Sequence, residues 1–339
     1  MWRRPLTERH LAKDATAEVA HNPLMKLLPH LRALFTIRYG MVWVLIALVV
    51  TASIIQDSFL EWGNIRNILQ QNAPVGIVAV GMTYVMIGGG FDLSVGSIYG
   101  GAAMFYASQA GDLPVAVAIL ATVLLGCTAG GINGVVVTRL KVNPFIATFG
   151  TSSIFMGAAF LYANSKTFPF REESFRTLGS DRIFDVPWSV VVLIAVFAIG
   201  AIILGKTVYG RSLYAIGGNN EAARLSGLRV DVLRASTFVL VGACAALAGI
   251  LIASRIGVGQ PDMTRGTLAL DAIAIVVIGG TSLFGGEGSV WRTAVGLLIL
   301  AVLSNLFDSY AVQASTQQII KGAIVVGAVS LDSFARSRR

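Results

Sequence analysis

Charged residues are scarce in this chain of 339 residues, and their scarcity excludes a large soluble protein. Aspartate, glutamate, lysine and arginine make up 13% of the sequence, whereas a soluble domain carries about 25%. Hydrophobic residues make up 55%, and the mean hydropathy is +0.73. Apolar runs of roughly 17–25 residues recur, each long enough to cross a hydrocarbon core about 30 Å thick. The composition therefore predicts an all-α fold, a polytopic bundle of transmembrane helices.

Cysteine and histidine are scarcer still. Cys127 and Cys244 fall inside apolar stretches, where a thiol packs as a small hydrophobe, so we expect no disulfide framework. His10, His21 and His30 all precede the first apolar run, at spacings that fit no metal site. The patterns G-x-S-x-G and H-E-x-x-H do not occur. We therefore expect no metal site, no resident cofactor and no catalytic residues.

Glycine, by contrast, is abundant, with 37 residues. Two sets recur at every fourth position: Gly126, Gly130 and Gly134, and the pair Gly96 and Gly100. In membranes such ridges let helix backbones approach closely. We interpret them as helix-packing surfaces.

Ten apolar segments are predicted to span the membrane. Their approximate ranges are 41–56, 73–89, 93–109, 115–137, 143–163, 188–204, 235–255, 268–284, 293–309 and 316–334. An even number places both termini on one side. We expect a transmembrane domain over 41–334, preceded by a basic segment, 1–40, and followed by a basic tail, 335–339.

The basic residues predict which side the termini occupy. Seven lie in residues 1–40, five in 205–234 and three in the last four residues. Basic residues concentrate on the cytoplasmic side of membrane proteins, so both termini and the 205–234 loop are predicted to be cytoplasmic. The same distribution accounts for the net charge of +8 without nucleic-acid binding.

The segment 1–40 is too long and mixed for a cleaved signal peptide. Its apolar residues fall at helical spacing with basic residues between them, which predicts an amphipathic helix on the lipid surface. They are Leu24, Leu27, Leu28, Leu31, Leu34 and Phe35.

The string GGGFDLSVGSIYGG, residues 88–101, has too many glycines for a plain helical hairpin. Irregular backbone at membrane depth is tolerated only where protein buries it or where it lines a cavity. A broken or re-entrant element is therefore predicted here. The string VVIGGTSLFGGEGS, which ends at Ser289, resembles VMIGGGFDLSVGS, which ends at Ser97, and suggests an internal repeat of the kind found in transporters.

A nucleotide-binding pattern also occurs by letter: Gly200, four apolar residues, Gly205, Lys206 and Thr207. Phosphate binding by this pattern requires a strand before the glycines and a helix after them. Here the preceding residues are the end of a predicted span. We interpret the match as coincidence and expect no ATP hydrolysis by this chain.

Several polar residues lie in or near the spans and are candidates for a solute pathway: Asp92, Ser94, Asn133, Asp271 and Asn305. Asp271 falls within a span and needs a partner, for which Arg255 and Lys321 are candidates. Asp92 and Asp308 are expected near span ends, within reach of water. Hydrogen bonds between helices explain the amides equally well.

The loop 205–234 contains Glu221-Ala222-Ala223, three further residues and Gly227, the pattern E-A-A-x-x-x-G. Asn219 or Asn220 can cap a helix that starts at Glu221, near the positive end of the helix dipole. Ala222 and Ala223 would keep its exposed face flat, and Gly227 would end it. We predict a short surface helix that fits a groove in another protein; the alternative is a solvated loop.

Five strings occur in an order that resembles the permease subunits of bacterial ABC importers for ribose, xylose, galactose and similar sugars. They are GGGFDLSVGS (88–97), NGVVVTRLKVNPFIATFGT (133–151), YGRSLYAIGGNNEAARLSGL (209–228), ALAGILIAS (246–254) and DAIAIVVIGGTSLFGGEGSV (271–290). The resemblance covers about residues 63–332.

The resemblance implies a bacterial inner-membrane subunit that translocates a monosaccharide or related polyol. Its implied partners are a cytoplasmic ATPase that binds the ATP, a periplasmic sugar-binding protein, a second permease copy or paralogue, and membrane lipid. It assigns an ATPase-coupling role to Tyr214, Gly217, Asn219, Glu221, Ala222, Ala223 and Gly227.

Two positions depart from the family pattern. Ala269-Leu270 stands where members commonly have Glu-Leu, and Arg292 stands where they commonly have glycine. Two other functions remain open from the residues alone. One is a gradient-driven secondary transporter that uses Asp271 or Asp92, and the other is an intramembrane enzyme that uses both carboxylates. Neither needs the E-A-A-x-x-x-G helix.

Overall fold

A computed structural model describes residues 40–164 and 166–337. The predicted lipid-surface helix in 1–40 and the end of the tail 335–339 therefore lie outside the described residues. Within those ranges the fold consists of thirteen α-helices and a few very short strands, which confirms the predicted all-α class.

The helices follow one another with short connections. They are α1 Gly40–Ile55, α2 Trp62–Ile87, α3 Val95–Ser108, α4 Val115–Thr138, α5 Pro144–Ala163, α6 Glu173–Ser180, α7 Trp188–Lys206, α8 Val208–Gly218, α9 Asn220–Leu225, α10 Val230–Ile256, α11 Leu268–Ile278, α12 Val290–Ser309 and α13 Ala314–Ser337. A 3-10 helix covers Pro261–Arg265.

Five helices in the described part of the chain combine the length and apolar composition needed to cross a membrane: α4, α5, α7, α10 and α12. Helices α1 and α11 are apolar but shorter. Each of the ten predicted segments overlaps a helix. The number of helices that cross the bilayer stays a prediction.

Helix α10 lies at the centre of the bundle and packs against α2, α3 and α4. Gly126, Gly130 and Gly134 of α4 face it so closely that a Cβ atom at any of them would overlap the α10 backbone. The predicted packing role of this glycine ridge is confirmed. The second ridge also packs: a Cβ at Gly100 would overlap Thr264 of the 3-10 helix.

Helix α2 begins at Trp62, eleven residues before residue 73, where the predicted span begins. This helical extension was not predicted, because the stretch is polar and its polarity was taken as the end of the apolar segment. The helix continues because its polar side chains have partners. Gln70 Nε2 donates to Gly179 O at 2.9 Å, and Asn72 Nδ2 donates to Ile68 O at 2.8 Å.

The segment between α5 and α7 forms a compact cap on one end of the bundle. Strand β1 (Phe168–Pro169) pairs antiparallel with β4 (Val258–Gly259), and β2 (Arg182–Ile183) pairs with β3 (Val186–Pro187). Tyr106 of α3 donates a hydrogen bond to Phe175 O in α6 at 3.0 Å. Ser254 of α10 also donates a hydrogen bond to Phe175 O. These two bonds fix the cap to the ends of α3 and α10.

Candidate functional site

The loop 205–234 folds into two short helices, α8 and α9, before α10 begins. Asn219 caps α9: its side-chain oxygen accepts a hydrogen bond from Ala222 N at 2.9 Å. Gly227 follows the helix with φ of +85°, a left-handed conformation that favours glycine. The short surface helix, its cap and its glycine turn are thus present. Helix α8 was not predicted.

Helix α9 presents one face to solvent and buries the other. Glu221, Ala222, Arg224 and Leu225 are exposed, Leu225 by 85%. Ala223 is only 5% exposed and packs with Ile216 and Val230. The expectation that Ala223 lies on the exposed face is wrong, because the inward face of α9 needs a small residue to approach α8 and α10.

Helix α8 contacts the bundle backbone to backbone at its last turn. A Cβ atom on Gly217 would overlap Ile87 O, the end of α2, and Gly286 N, in the loop before α12. Those two groups hydrogen-bond each other, with Gly286 N donating to Ile87 O at 2.9 Å. The end of α8 therefore rests on the point where two distant segments of the chain meet.

Two side chains reinforce this contact. Tyr214 Oη donates to Gly288 O at 2.7 Å, which links α8 to the loop just before α12. Arg234 of α10 donates from Nη2 to Gly89 O at 3.2 Å, in the turn after α2. Arg234 was not among the predicted site residues, and its place in the basic 205–234 loop was the only signal for it.

The glycine turns after α2 and α11 have the same geometry. Gly88 and Gly279 end their helices, and the next residues, Gly89 and Gly280, have φ of +75° and +77°. The backbone hydrogen bonds also correspond: Gly90 N donates to Val85 O, and Thr281 N donates to Val276 O. The resemblance between the two strings thus extends to their conformation.

The chain between α2 and α3 is not helical from Gly88 to Ser94, which agrees with a broken element in 88–101. It is buried within the protein and carries Asp92, which is fully buried. The expectation that water reaches Asp92 at a span end is wrong for this fold, because α4 and α5 cover the segment.

Asp92, Ser94 and Asn133 form one buried hydrogen-bonded cluster. Asp92 Oδ1 accepts from Ser94 N at 2.8 Å and Ser94 Oγ at 2.7 Å, while Asn133 Nδ2 donates to Asp92 Oδ2 at 3.3 Å. Thr151 of α5 donates to Asn133 Oδ1 at 2.6 Å. Thr151 was missed by the sequence analysis, since a lone threonine in an apolar helix is commonplace. The cluster joins the broken segment to α4 and α5.

Asp271 and Asn305 lie outside this cluster. Asp271 is half-buried in the first turn of α11, where Thr267 Oγ1 donates to its Oδ2 at 2.9 Å. Within the described ranges it makes no ion pair with Arg255 or Lys321, so those predicted partners are wrong; a hydroxyl at the helix start serves instead. Asn305 exchanges two amide hydrogen bonds with Asn64 of α2 and ties α12 to α2.

The nucleotide-binding pattern has no phosphate loop. Gly200, Gly205 and Lys206 all lie within α7, and Gly200 O accepts a hydrogen bond from Tyr84 Oη at 2.6 Å. A continuous helix cannot direct successive backbone N–H groups at a phosphate. The interpretation of this match as coincidence agrees with the fold.

Comparison with known proteins adds a family and several relatives. The family described as "Branched-chain amino acid transport system / permease component" matches residues 64–329. The ribose import permease protein RbsC of Haemophilus influenzae is 36% identical over 301 residues, which are 87% of this chain and 93% of that protein.

Two further relatives are of similar length and similarity. RbsC of Bacillus subtilis is 39% identical over 85% of this chain and 90% of its own. The L-arabinose transport system permease protein AraH of Escherichia coli is 35% identical over 89% of this chain and 92% of its own. No solved structure matches the chain.

Proposed function

The chain belongs to the family of permease components of branched-chain amino acid transport systems, and from that premise we propose that it is the membrane subunit of an ATP-driven sugar importer. Relatives similar over almost their whole length are permeases for ribose and L-arabinose, which supports a sugar as substrate. The proposed substrate is a monosaccharide or related polyol, carried across the bacterial inner membrane.

The contact of Gly217 with Ile87 and Gly286 carries the proposed mechanism. A separate cytoplasmic ATPase binds the exposed face of α9 and displaces α8 and α9 when it closes on ATP. Since Gly217 touches the bundle through backbone atoms, no flexible side chain absorbs that displacement. It reaches the end of α2 and the start of α12 together. Differential binding of the ATPase then biases the bundle between outward-open and inward-open states.

The docking surface consists of Glu221, Ala222, Arg224 and Leu225. Leu225 supplies an apolar anchor, and Arg224 is held in place by an ion pair with Asp231, in which the two side chains approach to 2.8 Å. Such a short convex helix fits a groove on a partner. Tyr214, Gly217, Asn219, Ala223 and Gly227 shape this surface from behind: they cap, turn or support α9.

The complete importer contains partners beyond this chain. We propose ten spans, both termini and the 205–234 loop in the cytoplasm, and the cap between α5 and α7 in the periplasm. There the cap faces a sugar-binding protein. A second copy or paralogue completes the pathway within the lipid bilayer, and ATP is bound by the ATPase.

The polar residues divide into two roles under this proposal. Asp92, Ser94 and Asn133 fix the broken segment that forms part of the pathway wall, because their polar atoms bond one another. Asn305 fixes α12 on α2. Asp271 is partly exposed at a helix start, and it is the better candidate for contact with a hydroxylated solute.

A photo-crosslinking experiment tests the docking role. A photoreactive residue at Leu225 in bacterial membranes should capture a soluble ATPase, identified by mass spectrometry. The same residue at Phe184, which is 97% exposed in the cap, is the control and should not. Efficient capture of other proteins at Leu225, with no ATPase among them, would contradict the proposal. Uptake that persists without ATP but requires an ion gradient would favour a secondary transporter.

A further inference from the structure

Three buried polar atoms with no hydrogen-bond partner in the described part of the chain surround the start of α12. They are Thr281 Oγ1, Ser289 Oγ and Arg292 Nε. Thr281 is only 3% exposed. Burying such groups without a partner is unfavourable, so their presence together indicates a ligand that accepts hydrogen bonds.

The fold brings these groups to one place. Ser289 is the N-cap residue of α12, but its side chain does not cap the helix. Thr281 packs on the residue just before it: a Cβ at Gly288 would lie 2.7 Å from Thr281 Oγ1. Arg292 sits in the first turn of α12, and its Nη1 reaches Gly280 O at 3.5 Å.

This donor set suits a phosphate. The first turn of a helix leaves backbone N–H groups unpaired, and its dipole favours an anion. A guanidinium and two hydroxyls add directed donors. Glu287, the acidic residue of the same loop, is exposed, whereas Thr281 is buried. Arg292 is also a position where this chain departs from the family pattern.

An apolar groove of about 600 Å³ lies beside these groups, and Gly280 and Thr281 contribute to its lining. The remaining lining comes from four helices, α1, α11, α12 and α13, and it includes Gly327 of α13. Apart from Thr281, these residues offer no polar side chain. The groove therefore suits a hydrocarbon chain.

We infer that one acidic phospholipid binds between α1, α11, α12 and α13. Its phosphate lies at Thr281, Ser289 and Arg292, and an acyl chain fills the groove. A lipid is favoured over free phosphate because Thr281 is both one of the three unpartnered polar groups and part of the groove lining. Gly280, whose carbonyl oxygen accepts from Arg292, also lines the groove. The bound lipid would stabilise the loop that carries Gly286 and Gly288, on which Gly217 and Tyr214 rest.

Lipid binding can be measured without a transport assay. The full-length chain is purified in a neutral detergent and titrated with phosphatidylglycerol or phosphatidylcholine, and bound lipid is counted by native mass spectrometry. One phosphatidylglycerol should be retained in preference to phosphatidylcholine. Arg292→Gln should weaken its binding about tenfold, the usual scale for a lost charge-assisted bond.

A second pair of variants tests the groove alone. Gly327→Leu places a side chain in the groove and should also weaken retention. Gly322 lies on the same helix outside the groove, and a Cβ atom at either glycine would meet nothing within 4 Å, so Gly322→Leu is a matched control. Lys206→Gln is the control for loss of a basic charge.

Three results would overturn the inference. Equal retention of both lipids would show that the head-group charge is not recognised. Protection from thermal unfolding by millimolar inorganic phosphate alone would indicate a free-anion site. Unchanged binding in both Arg292→Gln and Gly327→Leu would place the lipid elsewhere.

Discussion

The hydroxyl of Tyr214 donates a hydrogen bond of 2.7 Å to the carbonyl oxygen of Gly288, 74 residues further along the chain. Through this bond the α8–α9 segment is joined to the loop that starts α12. Substitution of Tyr214 by phenylalanine removes only the hydroxyl oxygen, so the contribution of this hydrogen bond to function can be measured separately.

Removal of Tyr214 Oη should slow ATP-driven sugar uptake more than it lowers the stability of the protein. Tyr214→Phe loses one hydrogen bond, a change of about 1 kcal/mol in the free energy of unfolding. We expect slower sugar uptake at an unchanged amount of bound ATPase, measured in proteoliposomes. Tyr310→Phe, which loses the bond to Ile55 O in an exposed position, is the control. Equal rates for Tyr214→Phe and wild type would remove Tyr214 from the coupling path.

A methyl group at Gly217 should be far more damaging than one at its neighbour. Gly217→Ala would force Ile87 O and Gly286 N apart, and overpacking of this kind costs typically about 1–3 kcal/mol. Gly218→Ala meets nothing within 4 Å. We expect a lower unfolding temperature and lost uptake for the first variant only. Comparable behaviour of the two would show that the close backbone contact is not needed.

Charge reversal on α9 should act without affecting the fold. Glu221 is exposed in the first turn, near the positive end of the helix dipole. Glu221→Lys should abolish uptake and ATPase co-purification while membrane insertion is unchanged. Glu61→Lys, also exposed but at the start of α2, should transport normally. Normal uptake by Glu221→Lys would contradict the docking role.

The buried cluster predicts a rescue. In Asp92→Asn, an amide nitrogen can face Asn133 Nδ2, so two hydrogen-bond donors meet in a buried site. The free energy of unfolding should fall by about 1–3 kcal/mol, and the unfolding temperature should fall with it. Adding Asn133→Asp restores an acceptor and should recover part of the loss. Thr151 remains bonded in both variants, because Oδ1 of residue 133 is kept. An additive double variant would mean that the two residues act independently.

The stability of the protein should depend on pH through Asp185, which lies in the cap between α5 and α7. The hydrogen bond from Trp62 and the charges of Arg66 and Arg182 lower the pKa of the Asp185 carboxyl below its usual value. Stability from the ionised carboxylate is fully present above the unfolded pKa, about 3.9, and is lost as the pH falls through the folded value.

The measurement compares wild type with Asp185→Asn. Their difference in unfolding temperature should be present at pH 7 and shrink towards pH 3. A constant difference for Asp185→Asn would show that the charge is not what stabilises the hairpin.

Local chemistry explains which features were predictable from the sequence. The cap at Asn219, the turn at Gly227 and the helix break after Ile87 depend on residues adjacent in the chain, and all were predicted. The glycine ridge of α4 was also predictable, because a repeat of four identifies a close-packed face whichever helix it meets.

Features that depend on distant neighbours were not predictable. Ala223 is buried because Ile216 and Val230 happen to flank it, which no pattern within α9 indicates. Asp92, Ser94 and Asn133 were each candidates, but their association depends on α4 lying over the broken segment. The early start of α2 was missed because the partners of its polar side chains, Asn305 and Gly179, lie more than 100 residues away.

The contact of Gly217 with Ile87 O and Gly286 N joins segments that lie far apart in the chain. Ile87 ends the helix before one glycine turn, and Gly286 follows the other turn of the same shape. Under the proposed function, a displacement at α9 would therefore act on both glycine turns together. The segments that follow the two turns should switch together, and a bundle with only one of them switched should be a rare species.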